Sequence, residues 1–327
     1  MTVHLQRAVK GAAAAEVRWL ENISRRVVWV EVDETVRRGA LSAEASGVIA
    51  HAADTAREKG LPLVMTIGSS GADIVEGVAA LHGWGLAAKA IAKCSGYVPI
   101  FTVVTGPAVS GPALLIGLSD IVIMTSDAYA FVTGPTMVAE FTGVVISNDE
   151  LGGSDIHAKQ SGVAHIVVAD RESAIAEVEH VLSFLPNNVN EITAAASTAD
   201  TIDRFTPEAG ELIPDSATGA YDVKAVIRSI ADDGYMLELR ERWAGNIVTG
   251  FITIGSQSVG VVANQPMNLA GTLDIPASQK AARFVSFCDA FNIPILTLVD
   301  TPGFYPGKDL EWRGMIRHGA QLVFAYG

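Results

Sequence analysis

The sequence predicts an α/β protein made of two related units, each with a mostly parallel sheet and helices between its strands. Three observations carry this. Short β-branched runs alternate with helix-length segments, the pattern of βαβ crossovers around a buried sheet. Small-residue turns follow those runs, where strands hand over to helices. A strand-and-turn pattern also recurs: GLPLVMTIGSSG (60–71) and NIPILTLVDTPG (292–303) share a helix end, a proline, an apolar strand and a glycine turn. The expected organisation is a first domain over 1–185, a linker rich in Pro, Asn, Asp, Ser and Thr over 186–222, and a second domain over 223–327.

Taken in order, residues 9–23 read as a short amphipathic helix and residues 26–34 as a strand of alternating exposure. A turn at Arg37-Arg38-Gly39-Ala40-Leu41 follows. Residues 42–59 place Ala, Val and Ile at helical spacing, with Ser42 as N-cap ahead of Glu44. Gly60-Leu61-Pro62 ends that helix, residues 63–67 form a buried strand, and Gly68–Asp73 is a small-residue turn opening a helix through Lys93. The stretch from Lys93 to Asp120 holds no charged side chain between its ends. It exceeds the roughly 18 residues that raise the possibility of a membrane span. From Tyr97 onward six Gly or Pro residues interrupt it, so it reads instead as a strand (98–105), a turn (106–111) and a helix with Pro112 in its first turn. A strand at 130–133, a polar Gly-rich segment at 149–162, a strand at 164–169 and a helix at 172–185 complete the first unit. The second contains a hairpin (247–254 and 259–265) about Gly255-Ser256, a helix at 277–291 and a strand at 293–299.

Composition narrows the function classes. Hydrophobic residues at 49% and charged ones at 18% describe a chain with a large core. Its net charge of −13, with no basic run, makes it a poor ligand for nucleic acid or anionic lipid. Cys94 and Cys288 fit no metal or CxxC spacing and are expected as buried small hydrophobes in a reducing, cytoplasmic protein. No metal site is expected.

Two small-residue turns lie at the ends of buried parallel strands, where such sheets bind ligands. The amides of Ala72 and Gly111, with Ser110 beside the latter, could converge on one oxygen and stabilise an enolate. His157 and His165 flank a Gly-rich loop and are expected to fix it rather than react. Asp73 and Glu76 are expected to complement a helix dipole in its first turn.

These residues carry a resemblance. GADI (71–74) and PAVSGPALL (107–115) resemble the two oxyanion motifs of the crotonase superfamily. FVTGP (131–135), ELGGSDIHAKQSGVAH (150–165), LIPDSATGAYDV (212–223), GVVANQP (260–266) and LDIPASQKAARFVSFCDAFNIPI (273–295) resemble the carboxyltransferase (β) subunit of biotin-dependent acyl-CoA carboxylases. The resemblance implies a crotonase-like ββα superhelix with one complete N-terminal domain and an incomplete second copy. It implies Ala72, Ser110 and Gly111 as the oxyanion donors. Arg37, Arg38 and Ala40, at the adenine end of coenzyme A, join Gly71 and Gly134 in the expected coenzyme-binding set. Carboxybiotin would come on a biotin carboxylase or carrier subunit, since no biotinyl-lysine motif occurs, and the assembly would be a ring of dimers. The activity implied is carboxyl transfer to the α-carbon of a short acyl-CoA; biotin-independent decarboxylation and a non-catalytic scaffold are the alternatives. Leu114 stands where hydratases of the superfamily place a glutamate, which argues against hydration.

Three departures accompany it. Asp73 stands where the family usually has Arg, Ser110-Gly111 where it has Gly-Gly, and the lead-in before the first strand is short. The second unit is expected to stop before the family's second oxyanion turn, so that a further segment or a second chain would complete the biotin half-site.

Overall fold

The computed structural model describes residues 2–9, 11–216 and 219–327. Lys10, inside the expected first helix, and Ala217 and Thr218, inside the block at 212–223, lie outside the described residues. The chain divides into two compact units: 1–182 with 187–190, and 183–186 with 191–327. The segment expected as a linker therefore belongs to unit 2 from Glu191 onward. Arg204 shows why: its guanidinium donates to the carbonyls of Ser229, Ile230 and Ala231, which ties the segment to the folded unit.

Unit 1 contains β1 (Val3–Arg7), β2 (Ala13–Leu20), β3 (Arg25–Val32), β4 (Leu63–Ser69), β5 (Ile100–Val109), β6 (Ile121–Thr125), β7 (Tyr129–Phe131) and β8 (Ile166–Val168). The sheet order is β1-β2-β3-β4-β5-β6-β8, with β7 paired to the far end of β5. β1, β2 and β3 are antiparallel; from β3 onward every neighbour is parallel. The helix expected over 9–23 is thus strand β2. Ala13, Ala15 and Leu20 are buried while their neighbours are more open, and the register Ala13↔Val32 to Leu20↔Arg25 joins β2 to β3. Sheet pairing outweighs the helical preference of an alanine run.

Helix α1 (Ala43–Lys59) buries Ala45, Val48, Ile49, Ala52, Ala53 and Ala56, one face at helical spacing. Ser42 Oγ accepts from Ala45 N–H at 3.0 Å, and Gly60 closes the helix in the left-handed region. Helix α2 (Val78–Ala92) starts later than expected. Asp73 and Glu76 do not occupy its first turn. Asp73 Oδ1 accepts from Val75 N–H, and Glu76 Oε2 accepts from Ala43 N–H at the start of α1. β5 likewise runs through the Gly106-Pro107 pair expected as a turn. Its far half pairs with β7 through Pro107↔Tyr129 and Val109↔Phe131, and with β4 through Ser69↔Ala108 after a register shift. A proline is tolerated at such an irregularity because no ladder bond needs its missing N–H. Helices α3 (Gly111–Ile116), α4 (Pro135–Thr142) and α5 (Arg171–Leu182) complete the unit's main elements.

Unit 2 contains α6 (Val223–Ile230), β9 (Leu237–Leu239), β10 (Ile247–Ile254), β11 (Gln257–Asn264), α7 (Ile275–Ala290), β12 (Ile295–Leu298) and α8 (Met315–Tyr326). Its sheet order is β12-β11-β10-β9. β10 and β11 form the expected hairpin, closed by Gly255 and Ser256 at positive φ, whose amides donate to the Asp232 carboxylate.

Unit 2 repeats the strand order of the first half of unit 1, and from β3 and β11 onward it does so residue for residue at one constant offset; the hairpin before that point is two residues shorter in its loop. Antiparallel β9, β10 and β11 followed by parallel β12 match β1 to β4. Ser42 and Asp274 cap equivalent helices, the latter accepting from Ala277 N–H at 2.9 Å. Gly39 (φ 67°) and Gly271 (φ 70°) occupy the same turn. A Cβ on either would meet a carbonyl oxygen of the facing strand end, Gly68 O at 1.8 Å or Asp300 O at 2.4 Å. Both positions require glycine.

A candidate oxyanion site at two strand ends

The site is built where β4 and β5 stop. Ser69 and Ala108 are their last paired residues, and Ala72 and Gly111 each lie three residues further on. Parallel strands that end level deliver the two turns side by side. Gly71, at φ 118°, lets the first turn reverse, and a Cβ there would lie 3.5 Å from Val109 O of the neighbouring strand.

The first turn is held from three directions. Leu41 N–H donates to Gly71 O at 2.9 Å, and Asp73 N–H donates to Leu41 O at 2.9 Å, which leaves the intervening Ala72 amide facing the other way. Ser69 Oγ, fully buried, donates to Gly39 O and accepts from Gly71 N–H. Ser70 N–H donates to Arg38 O. The short turn Arg37–Gly39, in which Arg37 and Arg38 also take positive φ, is thereby bolted to this first turn.

In the second turn Ser110 takes φ 64°, ψ −120°, a conformation that favours glycine. Its amide does not face the site. It donates to Phe131 O at 2.9 Å, so the expectation of Ser110 as an oxyanion donor is corrected: that N–H is consumed in holding β7. Leu114 N–H meanwhile donates to Ser110 O, and Trp84 Nε1–H donates to Gly111 O at 2.9 Å. Among the described residues, no acceptor pairs with the N–H of Ala72 or of Gly111. Two amides, not three, remain for a ligand oxygen.

The expected coenzyme-binding residues are placed as follows. Arg38 is exposed and Ala40 half-buried beside the first turn. Arg37 Nη2 lies 2.5 Å from Asp73 Oδ2, an ion pair whose carboxylate is 4% exposed and whose alignment falls short of a hydrogen bond. The acidic residue that departs from the family pattern thus neutralises the neighbouring arginine. Gly134 is the N-cap of α4, on a different element from the first turn.

Both histidines do the structural work expected of them. His157 bonds Ala130 O through Nε2 at 2.8 Å and Ser161 Oγ through Nδ1 at 2.7 Å; His165 Nδ1, buried, accepts from Val122 N–H. Both cysteines are buried, and burial raises both thiols, Cys94 to about 11. Among the described residues no cluster of His, Cys, Asp or Glu could hold a metal, and no helix is long and apolar enough to cross a membrane.

Sequence reasoning missed a second turn of the same kind. Unit 2 has its own copy of the first turn: Leu273 N–H donates to Gly303 O, Tyr305 N–H to Leu273 O, and Thr301 Oγ1 takes the place of Ser69 Oγ. Gly303 (φ 125°) matches Gly71, and the Phe304 amide matches that of Ala72, without an acceptor among the described residues. The signal was present in the equal spacing of Pro62 to Gly71 and Pro294 to Gly303; the amide one residue on was not followed. What unit 2 lacks among the described residues is a strand beyond β12, which stands at the sheet edge.

The profile of the carboxyl transferase domain matches residues 22–327. The chain belongs to the carboxyl transferase domain family. The domain is 43% identical over 307 residues to the propionyl-CoA carboxylase beta chain of Roseobacter denitrificans, covering 93% of this chain and 60% of that one. It is 40% identical to the methylmalonyl-CoA carboxyltransferase 12S subunit of Propionibacterium freudenreichii subsp. shermanii, covering 93% and 58%. Among solved structures it superposes on the transcarboxylase 12S hexamer, with methylmalonyl-coenzyme A bound, at a TM-score of 0.93 and 38% identity, covering 96% of this chain and 61% of that chain. The fold is accordingly the crotonase-like α/β fold of these carboxyl transferases. The chain spans about three fifths of the length of the relatives it matches.

Proposed function

We propose that this chain is the acyl-CoA-holding part of a carboxyltransferase that moves a carboxyl group between carboxybiotin and the α-carbon of a short acyl-CoA. The observation that carries the reading is the pair of unpartnered amides, Ala72 and Gly111, at level ends of adjacent parallel strands in a carboxyl transferase fold. The thioester oxygen sits between these two donors. When the α-carbon becomes a nucleophile the negative charge collects on that oxygen, and the fixed amides stabilise it without having to reorient. Arg38 and Ala40, with Arg37 when Asp73 releases it, hold the coenzyme's adenine end, and Gly71 lets the backbone approach the thioester.

Biotin fits unit 2 at one point: the Phe304 amide offers a donor for a carbonyl-type oxygen such as that of the ureido ring. Carboxybiotin, brought by a partner protein, supplies the activated carboxyl group and the base for the α-proton. This chain's residues bind the thioester, polarise it and hold the enolate charge. A dimer-based ring is the assembly we propose, from the hexamer of the structural relative.

A second reading has one observation in its favour: a relative from Veillonella parvula, 39% identical, is named methylmalonyl-CoA decarboxylase subunit alpha. One assay separates the two. With methylmalonyl-CoA labelled in its free carboxyl group, carboxyl transfer puts label on added free biotin. Release of labelled CO₂ at the same rate with and without biotin would instead establish decarboxylation. Failure to bind the thioester at all would refute both.

A further inference from the structure

The Gly111 amide can serve a ligand only if its peptide is held at one angle. Main-chain bonds from Leu114 and to Phe131 hold the Ser110 side of the turn. The Gly111 side is held from another element. Trp84, on α2, donates its indole N–H to Gly111 O at 2.9 Å, and its ring lies flush against the glycine: a Cβ at 111 would stand 2.9 Å from both Cδ1 and Nε1. Helix α2 is the element that follows the Ala72 turn, so this one side chain links the two strand ends through the helix between them.

We infer that Trp84 is a positioning residue that aims the Gly111 amide and keeps its turn in register with the turn carrying Ala72. The inference rests on the enolate reading above. An indole has a single donor and no acceptor, so its one hydrogen bond fixes the ring as well as the carbonyl. The half-buried ring also seals the face of Gly111 against water, which would otherwise compete for the same carbonyl. A small rotation of one donor in such a site costs far more in rate than in folding, because the ligand oxygen is met at a fixed distance.

The test replaces Trp84 with benzothienylalanine, which keeps the ring shape and substitutes sulfur for N–H; Trp84→Phe is the genetic counterpart. Affinity is read for a dethia coenzyme A carboxylate, in which CH2 replaces sulfur and a carboxylate replaces the thioester carbonyl, so that an anionic oxygen stands where the enolate oxygen would. An S-alkyl coenzyme A with no such oxygen is the reference. Both variants are expected to weaken the carboxylate roughly tenfold while S-alkyl binding stays within twofold. The control replaces the Gly111 amide by an ester (glycolate at 111). If the ester weakens the carboxylate and neither Trp84 variant does, the role of Trp84 is refuted. If the ester itself changes nothing, it is the enolate reading that falls.

Discussion

Lys280 offers the sharpest test of how unit 2 is held together. It lies on α7 with its side chain fully buried, and its ammonium is surrounded by carbonyls: Ile247 O at 2.8 Å, Trp243 O at 2.9 Å, Arg240 O at 3.0 Å and Ala244 O at 3.5 Å. Those carbonyls come from the first residue of β10 and from the turn before it, in which Arg240 and Ala244 take positive φ. Lys280→Met keeps the apolar stem and removes the charge. It leaves the Trp243 and Ile247 carbonyls without their donor, at about 1–3 kcal/mol each, while Arg240 O keeps the Trp243 N–H and Ala244 O the Ile247 N–H; against this stands the relief of no longer burying a charge. The balance is a loss of about 2 kcal/mol near neutral pH.

The pH dependence has a definite sign. Burial pushes Lys280 from 10.5 down to about 7, opposed by Glu238 and Glu241 and reinforced by Arg240 and Lys224. The four carbonyls also favour the ammonium form and moderate the displacement. The unfolded chain therefore holds this proton up to about pH 10.5 while the folded one releases it earlier. Wild-type stability rises across pH 7 to 10.5 and is flat with respect to this group below 7. Urea unfolding followed by hydrogen exchange at residues 240–247 reads both effects. The variant is expected to lose the rise as well as the stability. A Lys280→Met protein within about 1 kcal/mol of wild type, or one retaining the wild-type slope, would refute the idea that the ammonium organises this turn.

Other outcomes follow from the same contacts. Ser110→Gly relieves a backbone conformation costing about 1–3 kcal/mol, less glycine's entropy, and is expected to stabilise unit 1 by about 1 kcal/mol in chemical denaturation. Gly39→Ala, whose Cβ would fall 1.8 Å from Gly68 O, is expected to disrupt the Arg37–Gly39 turn and, on the proposed function, to abolish acyl-CoA binding by calorimetry; Gly271→Ala tests the same turn in unit 2. Arg37→Ala strips a nearly buried carboxylate of its counter-ion and is expected to cost about 1–2 kcal/mol, recovered when Asp73→Asn is added. Cys94, raised to about 11 by burial, is expected to resist iodoacetamide at pH 8 until the chain is denatured, which mass spectrometry of the labelled peptide shows.

Much of the site was legible because turns announce themselves through glycine. Gly71 and Gly111 marked both strand ends, and the recurrence of a proline nine residues before a glycine disclosed the repeat. The errors came where tertiary pairing decides. The alanine run at 12–15 reads as helix until β3 is there to pair with it. Gly106-Pro107 reads as a turn until β7 supplies the other side of the strand. The first partner is a hairpin neighbour (Leu20↔Arg25) and the second lies well down the chain, but in both cases it is the pairing and not the run's own propensity that decides. Ser110 failed for a related reason: whether an amide is free depends on whether a distant carbonyl, here Phe131 O, has already taken it.

The constant offset that relates the two units from β3 and β11 onward has a consequence for how such a site can change. Its unpartnered amides are peptide groups, which substitutions other than proline leave in place, so side chains around the turns can drift while those donors persist. Segment length has no such freedom. One residue inserted between β4 and Gly71 would carry the Ala72 amide off its level with Gly111, and one inserted before Gly303 would do the same to Phe304. The inheritance to look for in distant members of the family is therefore metrical: the count of residues from strand to turn, more than the letters that fill it.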